Sequence, residues 1–129
     1  MATENQILIR GFEADADLST SQFRVVILTG TGANSKVDRA TTATQFPFGI
    51  LQNTPSATQT ADVMVAGVSK FSAEGAVTVN QFTKSSGDGQ IAGVTTGTDS
   101  GLYGFGLCVE AASAAGDVGS LLLLGVHKI

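Results

Sequence analysis

The chain has 129 residues, with seven Lys and Arg against eleven Asp and Glu, a net charge of −4, and one cysteine. That balance excludes a nucleic-acid module, which needs a basic stripe, and it excludes an anionic membrane surface as partner. A lone Cys108 excludes an internal disulfide framework and a cysteine-rich zinc site, and the length fits one domain.

Charged residues make up 14% of the chain, so much of the surface must be Thr, Ser, Ala and Gly. Such a surface suits burial against other subunits, because charge is depleted from interface cores. The plainer reading is that Thr and Ser decorate exposed strand faces, and composition alone leaves both open. The start, MATENQILIR, lacks the basic region and apolar core of a signal peptide. Leu121 to Leu124 is far shorter than the ~20 residues of a membrane span.

In chain order, Asn5 to Arg10 reads as a strand with Ile7 and Ile9 on one face, or as a loose terminal arm. If a strand, it pairs within its own domain or adds to the sheet edge of another chain. Gly11 to Ser21, with Glu13, Asp15 and Asp17, reads as an acidic loop or extended crossing segment. Gln22 to Thr29 is apolar on both faces, with Phe23, Val25 and Ile27 opposite Val26 and Leu28, which predicts burial on both sides. A turn at Thr29 to Asn34 leads into a short strand, Lys36 to Ala40.

Strands are expected at Phe46 to Gln52 and Ala61 to Phe71, flanking a polar connection that contains Pro55. Gly67 implies a bulge or a close backbone approach. Ala76 to Thr83 alternates, with Val77 and Val79 on one face. A turn with Asp88-Gly89 chemistry precedes Gln90 to Val94, and Thr95 to Gly101 reads as a flexible loop. Leu102 to Glu110 splits into a large face (Tyr103, Phe105, Leu107, Val109) and a small one (Gly104, Gly106, Cys108). Val118 to His127 closes the chain. No segment sustains helical spacing, and short strands about ten residues apart predict an all-β, single-domain barrel or sandwich. We divide it into an N-terminal arm or edge strand, residues 1 to 15, and a β domain, residues 16 to 129.

No stretch assembles a catalytic, metal or cofactor site. His127 is the only histidine and has no nucleophile or orienting acid near it in sequence. Cys108 sits between Leu107 and Val109 and reads as core. Asp15 and Asp17 alternate, yet calcium takes six to eight oxygen ligands and a spaced glutamate. Gly30 to Lys36 lacks the Gly-Lys-Ser/Thr order of a phosphate loop and the helix after it. Tyr103 and Phe105 would form a stacking platform only if both rings were exposed. These readings favour a non-enzymatic structural or binding domain.

Four stretches in order carry a resemblance. They are Ala16-Asp17-Leu18-Ser19-Thr20-Ser21-Gln22-Phe23; Phe46-Pro47-Phe48-Gly49-Ile50-Leu51-Gln52-Asn53-Thr54-Pro55; Ala61 to Lys70; and Gly106 to Asp117, with its Glu110-Ala111-Ala112-Ser113-Ala114-Ala115-Gly116-Asp117. In order and spacing they resemble the head decoration (cement) proteins of tailed bacteriophages. The sequence departs from the family pattern at Val79-Asn80-Gln81-Phe82 and Gly89-Gln90. The resemblance implies a non-enzymatic β protein on the outer surface of the virion, made in the bacterial host cytoplasm. It needs no cofactor, and its implied partner is the major capsid protein, bridged at capsomer junctions by a homotrimer. An arm carrying Ile7, Leu8 and Ile9 becomes the expected capsid contact. Phe48, Gln52 and Asn53 become the expected subunit contact. The alternative expectation is a ligand-binding β module, such as a carbohydrate-binding or tail-fibre head domain.

Overall fold

The computed structural model describes residues 5–30 and 35–129, and for residues 5–11 the backbone only. Among the described residues there are nine strands and no helix: β1 (Asn5–Ala14), β2 (Val25–Thr29), β3 (Lys36–Arg39), β4 (Gly49–Leu51), β5 (Thr60–Ser72), β6 (Phe82–Ser85), β7 (Ile91–Gly93), β8 (Tyr103–Glu110) and β9 (Val118–Lys128). The order is β1-β3-β2-β4-β5-β9-β8-β6-β7, and β1 also pairs with β5. That extra pairing closes β1, β3, β2, β4 and β5 into a five-stranded barrel. The remaining strands continue from β5 as an antiparallel sheet.

β5 belongs to both units. Along one edge, Thr60 to Val68 pairs with β1. Along the other edge, Val63 and Met64 pair with β4, and Gly67 to Ser72 pair with β9. Gly67 lies between these regions with φ +96, a left-handed backbone that glycine adopts without a Cβ penalty.

The expected strand Gln22 to Thr29, buried on both faces, holds at Val25 and Val26 and is corrected at its ends: residues 22–24 precede β2, with Phe23 at φ +64, and Leu28 is 49% exposed. Neighbouring residues on a strand point to opposite faces. Val26, Leu51 and Val63 join Val37, Ala61 and Leu18 in one core cluster inside the barrel. Their neighbours Val25, Ile50 and Met64 join a second cluster with Phe71, Ile91, Phe105, Cys108 and Leu121. The second cluster fills the space between barrel wall and sheet. Each fully buried aliphatic side chain contributes about 1.5–3 kcal/mol, and Val25, Val26, Ile50 and Leu51 are all 0% exposed.

Three further expectations are corrected. The segment 76–83 is not a continuous alternating strand. Val77 makes a single bridge to Ala112, Asn80 turns with φ +70, and the Gln81 side chain accepts the Thr78 amide at 3.1 Å. Val77 is therefore buried while Val79 is 60% exposed. The loop 95–101 is tied down by Asp99, whose carboxylate accepts the Thr95 amide at 2.7 Å. On β8, Thr83 opposes Gly106 and Lys84 opposes Gly104, so Phe105 is an extra residue. This bulge reverses the face sense of the strand, which puts Phe105 in the core beside Cys108 and moves Leu107 to the outer face. The turn residues 31–34 of the phosphate-loop-like stretch lie outside the described residues.

Candidate functional site

The residues weighed as chemical centres lie in separate settings. His127 is exposed near the end of β9, its ring 6.3 Å from that of Phe82. Among the described residues, no Ser, Asp or Cys hydrogen-bonds to it. Cys108 is 1% exposed, and burial pushes its thiol pKa up against the opposing effect of its bond to the Glu110 carbonyl, 3.2 Å away. A thiol held protonated is a poor nucleophile. Asp15 accepts a hydrogen bond from Thr29 Oγ1 at 3.2 Å and lies 3.9 Å from Lys36 Nζ. Asp17 accepts the Ser19 amide at 3.0 Å, and this bond holds its carboxyl below the usual range. Asp15 is thus tied to β2 and β3 and Asp17 to its own turn, so the two carboxylates are oriented separately.

The aromatic pair is divided. Phe105 is 3% exposed within the core. Tyr103 is half-buried and meets Phe46 edge-on, with centroids 5.2 Å apart and an interplanar angle of 65°. Lys128 Nζ lies 5.7 Å from the Tyr103 centroid. No flat two-ring platform results.

The stretches that carry the resemblance form tight, internally bonded structure. Gln52 Nε2 donates to Ser69 Oγ at 2.9 Å and to the Ile50 carbonyl at 3.0 Å. Asn53 spans the start of β5, donating to the Thr60 carbonyl and accepting the Asp62 amide, both at 3.0 Å. Phe48 packs edge-on against Phe12, centroids 5.2 Å apart. Gln52 and Asn53 thus spend polar groups within their own chain, while Phe48 also lines a surface groove. Asp117 accepts Ser113 Oγ at 2.7 Å and the Ala114 amide at 3.0 Å, which fixes the turn before β9. The Ser113 hydroxyl bond holds the Asp117 carboxyl below its ordinary value.

Ile7, Leu8 and Ile9 lie on β1, where the backbone pairs with Ala66, Met64 and Val63; their side chains are outside the described residues. β3 meets β1 only at Glu13 and Ala14. Among the described residues, the edge of Asn5 to Arg10 away from β5 carries no strand. A bare edge of this kind is a template for pairing with another chain.

What sequence reasoning missed is a pair of apolar surfaces. A groove of about 240 Å³ is lined by Ile27, Leu28, Gln45, Phe46 and Phe48, with Phe46 59% and Leu28 49% exposed. On the far side of the sheet, Val68, Leu122, Leu107 and Phe82 stand in one cross-strand row. The extra residue on β8 concealed that row from any reading by simple alternation.

The fold is thus an all-β barrel extended by a four-strand antiparallel sheet. It is similar to the crystal structure of the head fiber gp8.5 N base of bacteriophage phi29, with a TM-score of 0.71 at 16% identity over 91% of this chain and 94% of that one. At that identity the likeness is one of fold. No family model and no curated relative match the chain.

Proposed function

We propose that this protein is a structural component of a tailed-phage head, a decoration protein that binds the outer surface of the major capsid protein shell and stabilises it by bridging capsomers. The observation that carries the reading is the shared fold with a phage head fiber base, over nearly the full length of both chains. The sequence resemblance to decoration proteins points the same way. The surface chemistry agrees: a charge-poor, Thr- and Ala-rich exterior lowers the desolvation cost of lying against other subunits. In this reading the protein is a non-enzymatic homotrimer, and the bare edge at Ile7 to Ile9 docks on the shell. Many copies turn individually weak contacts into firm attachment.

The test is to mix the full chain with undecorated heads, pellet them, and image the pellet. The expected result is co-sedimentation at saturable stoichiometry, with density at capsomer junctions and a higher temperature of head disruption. Protein that stays in the supernatant at all concentrations overturns the proposal.

A further inference from the structure

We propose that a polar pocket beside the end of β3 binds one ring of a neutral sugar. The inference stands apart from the decoration reading, since no residue of the shell-docking edge at Ile7 to Ile9 lines this pocket.

The pocket has a volume of about 230 Å³ and lies between the turn that follows β1 and the residues that end β3. The Asp15 amide donates to the Val37 carbonyl at 2.9 Å, and the Ser21 amide to the Leu18 carbonyl at 3.0 Å. These bonds fold the turn against β3. Leu18, a member of the barrel core, supplies an apolar wall.

Ser21 carries the argument. It is 2% exposed. Its amide and its carbonyl are both bonded, to Leu18 and to the Arg24 amide. Among the described residues its hydroxyl has no partner. Every fully enclosed side-chain oxygen or nitrogen among those residues is hydrogen-bonded, so the Ser21 hydroxyl keeps an opening, and the pocket is what it lines. A nearly buried hydroxyl without a bond is uncommon in a folded chain and calls for a ligand or water to complete it.

Arg39 is a second such group. Arg24, close by, pairs with Asp88 at 3.3 Å. The Arg39 guanidinium meets no carboxylate or carbonyl among the described residues. Its stem is pinned against Gly89, where a Cβ would come within 2.9 Å of Arg39 Cγ. Two carboxylates line the same space. Asp17 accepts the Ser19 amide and Asp38 the Arg39 amide, at 3.0 and 2.8 Å, which leaves each with open acceptor positions.

That set selects the ligand. The carboxylates only accept, the guanidinium only donates, and the serine does both. An anion such as phosphate would face two carboxylates against one guanidinium. A cationic side chain would be repelled by Arg39. Calcium takes six to eight oxygens, and among the described residues no three metal-ligating side chains stand together. A sugar hydroxyl donates and accepts at once, so one small uncharged ring can satisfy all four groups. The space equals about eight waters at ~30 Å³ each, enough for such a ring. No aromatic side chain lines it, so a single site is weak, and firm attachment comes from many copies.

Amide-shift NMR on the full chain tests this, with D-glucose, D-galactose, D-mannose and their methyl glycosides as probes. We expect saturable shifts clustered at Ala16 to Ser21 and Asp38 to Thr41 with at least one hexose. Shifts with the methyl glycoside as well assign the site to a chain-borne sugar, and shifts with the free hexose alone to free sugar; either supports the pocket. Ser21→Ala removes a hydroxyl that bonds to nothing in the protein, so the unfolding midpoint should hold or rise while sugar affinity falls about fivefold. Arg39→Met keeps the stem, loses the donors, and should weaken binding about tenfold. Val79→Thr, remote from the pocket, should leave affinity unchanged. Amide spectra of each variant check its fold, and Asp38→Asn replaces either one that does not fold. The absence of saturable shifts with every hexose overturns the proposal. So do shifts centred on Leu28 and Phe46, full affinity in both pocket variants, or pocket shifts with glycine, phosphate or calcium and none with sugar. Sugar binding is measured without heads, so its failure leaves the decoration reading standing, and failure to bind heads leaves the pocket standing.

Discussion

Lys84 on β6 and Asp99 in the loop before β8 form an ion pair with Nζ 2.5 Å from Oδ1, and Asp99 is 5% exposed. The Lys84 hydrogen bond, then the Thr95 amide, hold the Asp99 carboxyl below its ordinary value, with burial opposing them. A carboxylate whose folded pKa is depressed stabilises fully above its unfolded pKa and loses that contribution as pH falls through the folded value. Asp99→Asn should therefore cost about 2 kcal/mol at neutral pH, the scale of a charge-assisted bond. The gap to the natural protein should begin to narrow at about pH 4, the ordinary carboxylate range, and close only as pH falls through the lower folded value. Urea unfolding across this range checks it, and a gap independent of pH counts against the pair.

Phe23 sits at φ +64, a region costly for an aromatic residue. It is held there from both sides: its amide donates to the Leu51 carbonyl at 2.8 Å, and its carbonyl accepts the Ser72 amide at 2.9 Å. Lys70 Nζ lies 5.8 Å from the centre of its ring. Phe23→Gly should change stability by less than about 1 kcal/mol, because relief of the backbone strain offsets the lost ring contacts. Phe23→Val loses the ring and keeps the strain, so it should be less stable than the glycine variant by about 1–2 kcal/mol. Equal stabilities in denaturant would mean that the backbone at this position stores no strain.

Val77 and Val79 offer a direct check on the broken alternation. Val77→Ala should cost about 2 kcal/mol, since its side chain is 0% exposed in the core. Val79→Thr should stay within about 0.5 kcal/mol, as exposed substitutions do. Similar losses at both positions would show that the two valines share a buried face after all.

The strands with a strong local signal are legible in the sequence. Gln22 to Thr29 reads as buried on both faces, and Val25 and Val26 are each 0% exposed. Gly67 stands out within an apolar run, and its left-handed φ is the reason. The departures come from single-residue events that alternation does not register. The extra residue at Phe105 reverses a face, and the left-handed Asn80 turns a β-like run aside. The tie from Lys84 to Asp99 joins residues 15 apart, so a loop rich in Gly and Thr reads as free when it is fixed. For the candidate sites, residue type indicates polar contacts at Gln52 and Asn53. It gives no means to tell bonds within the chain from bonds between chains.

β5 has a consequence for how the molecule yields under load. Its first half is a stave of the barrel and its second half a strand of the sheet, with one unbroken backbone between them. No hinge separates barrel from sheet, and no cut in the chain would leave each with its own complete ladder. A pull between them runs along β5 and shears several hydrogen bonds together, where a joint across strand ends would let those bonds break in succession. The molecule is expected to resist and then fail as one cooperative unit.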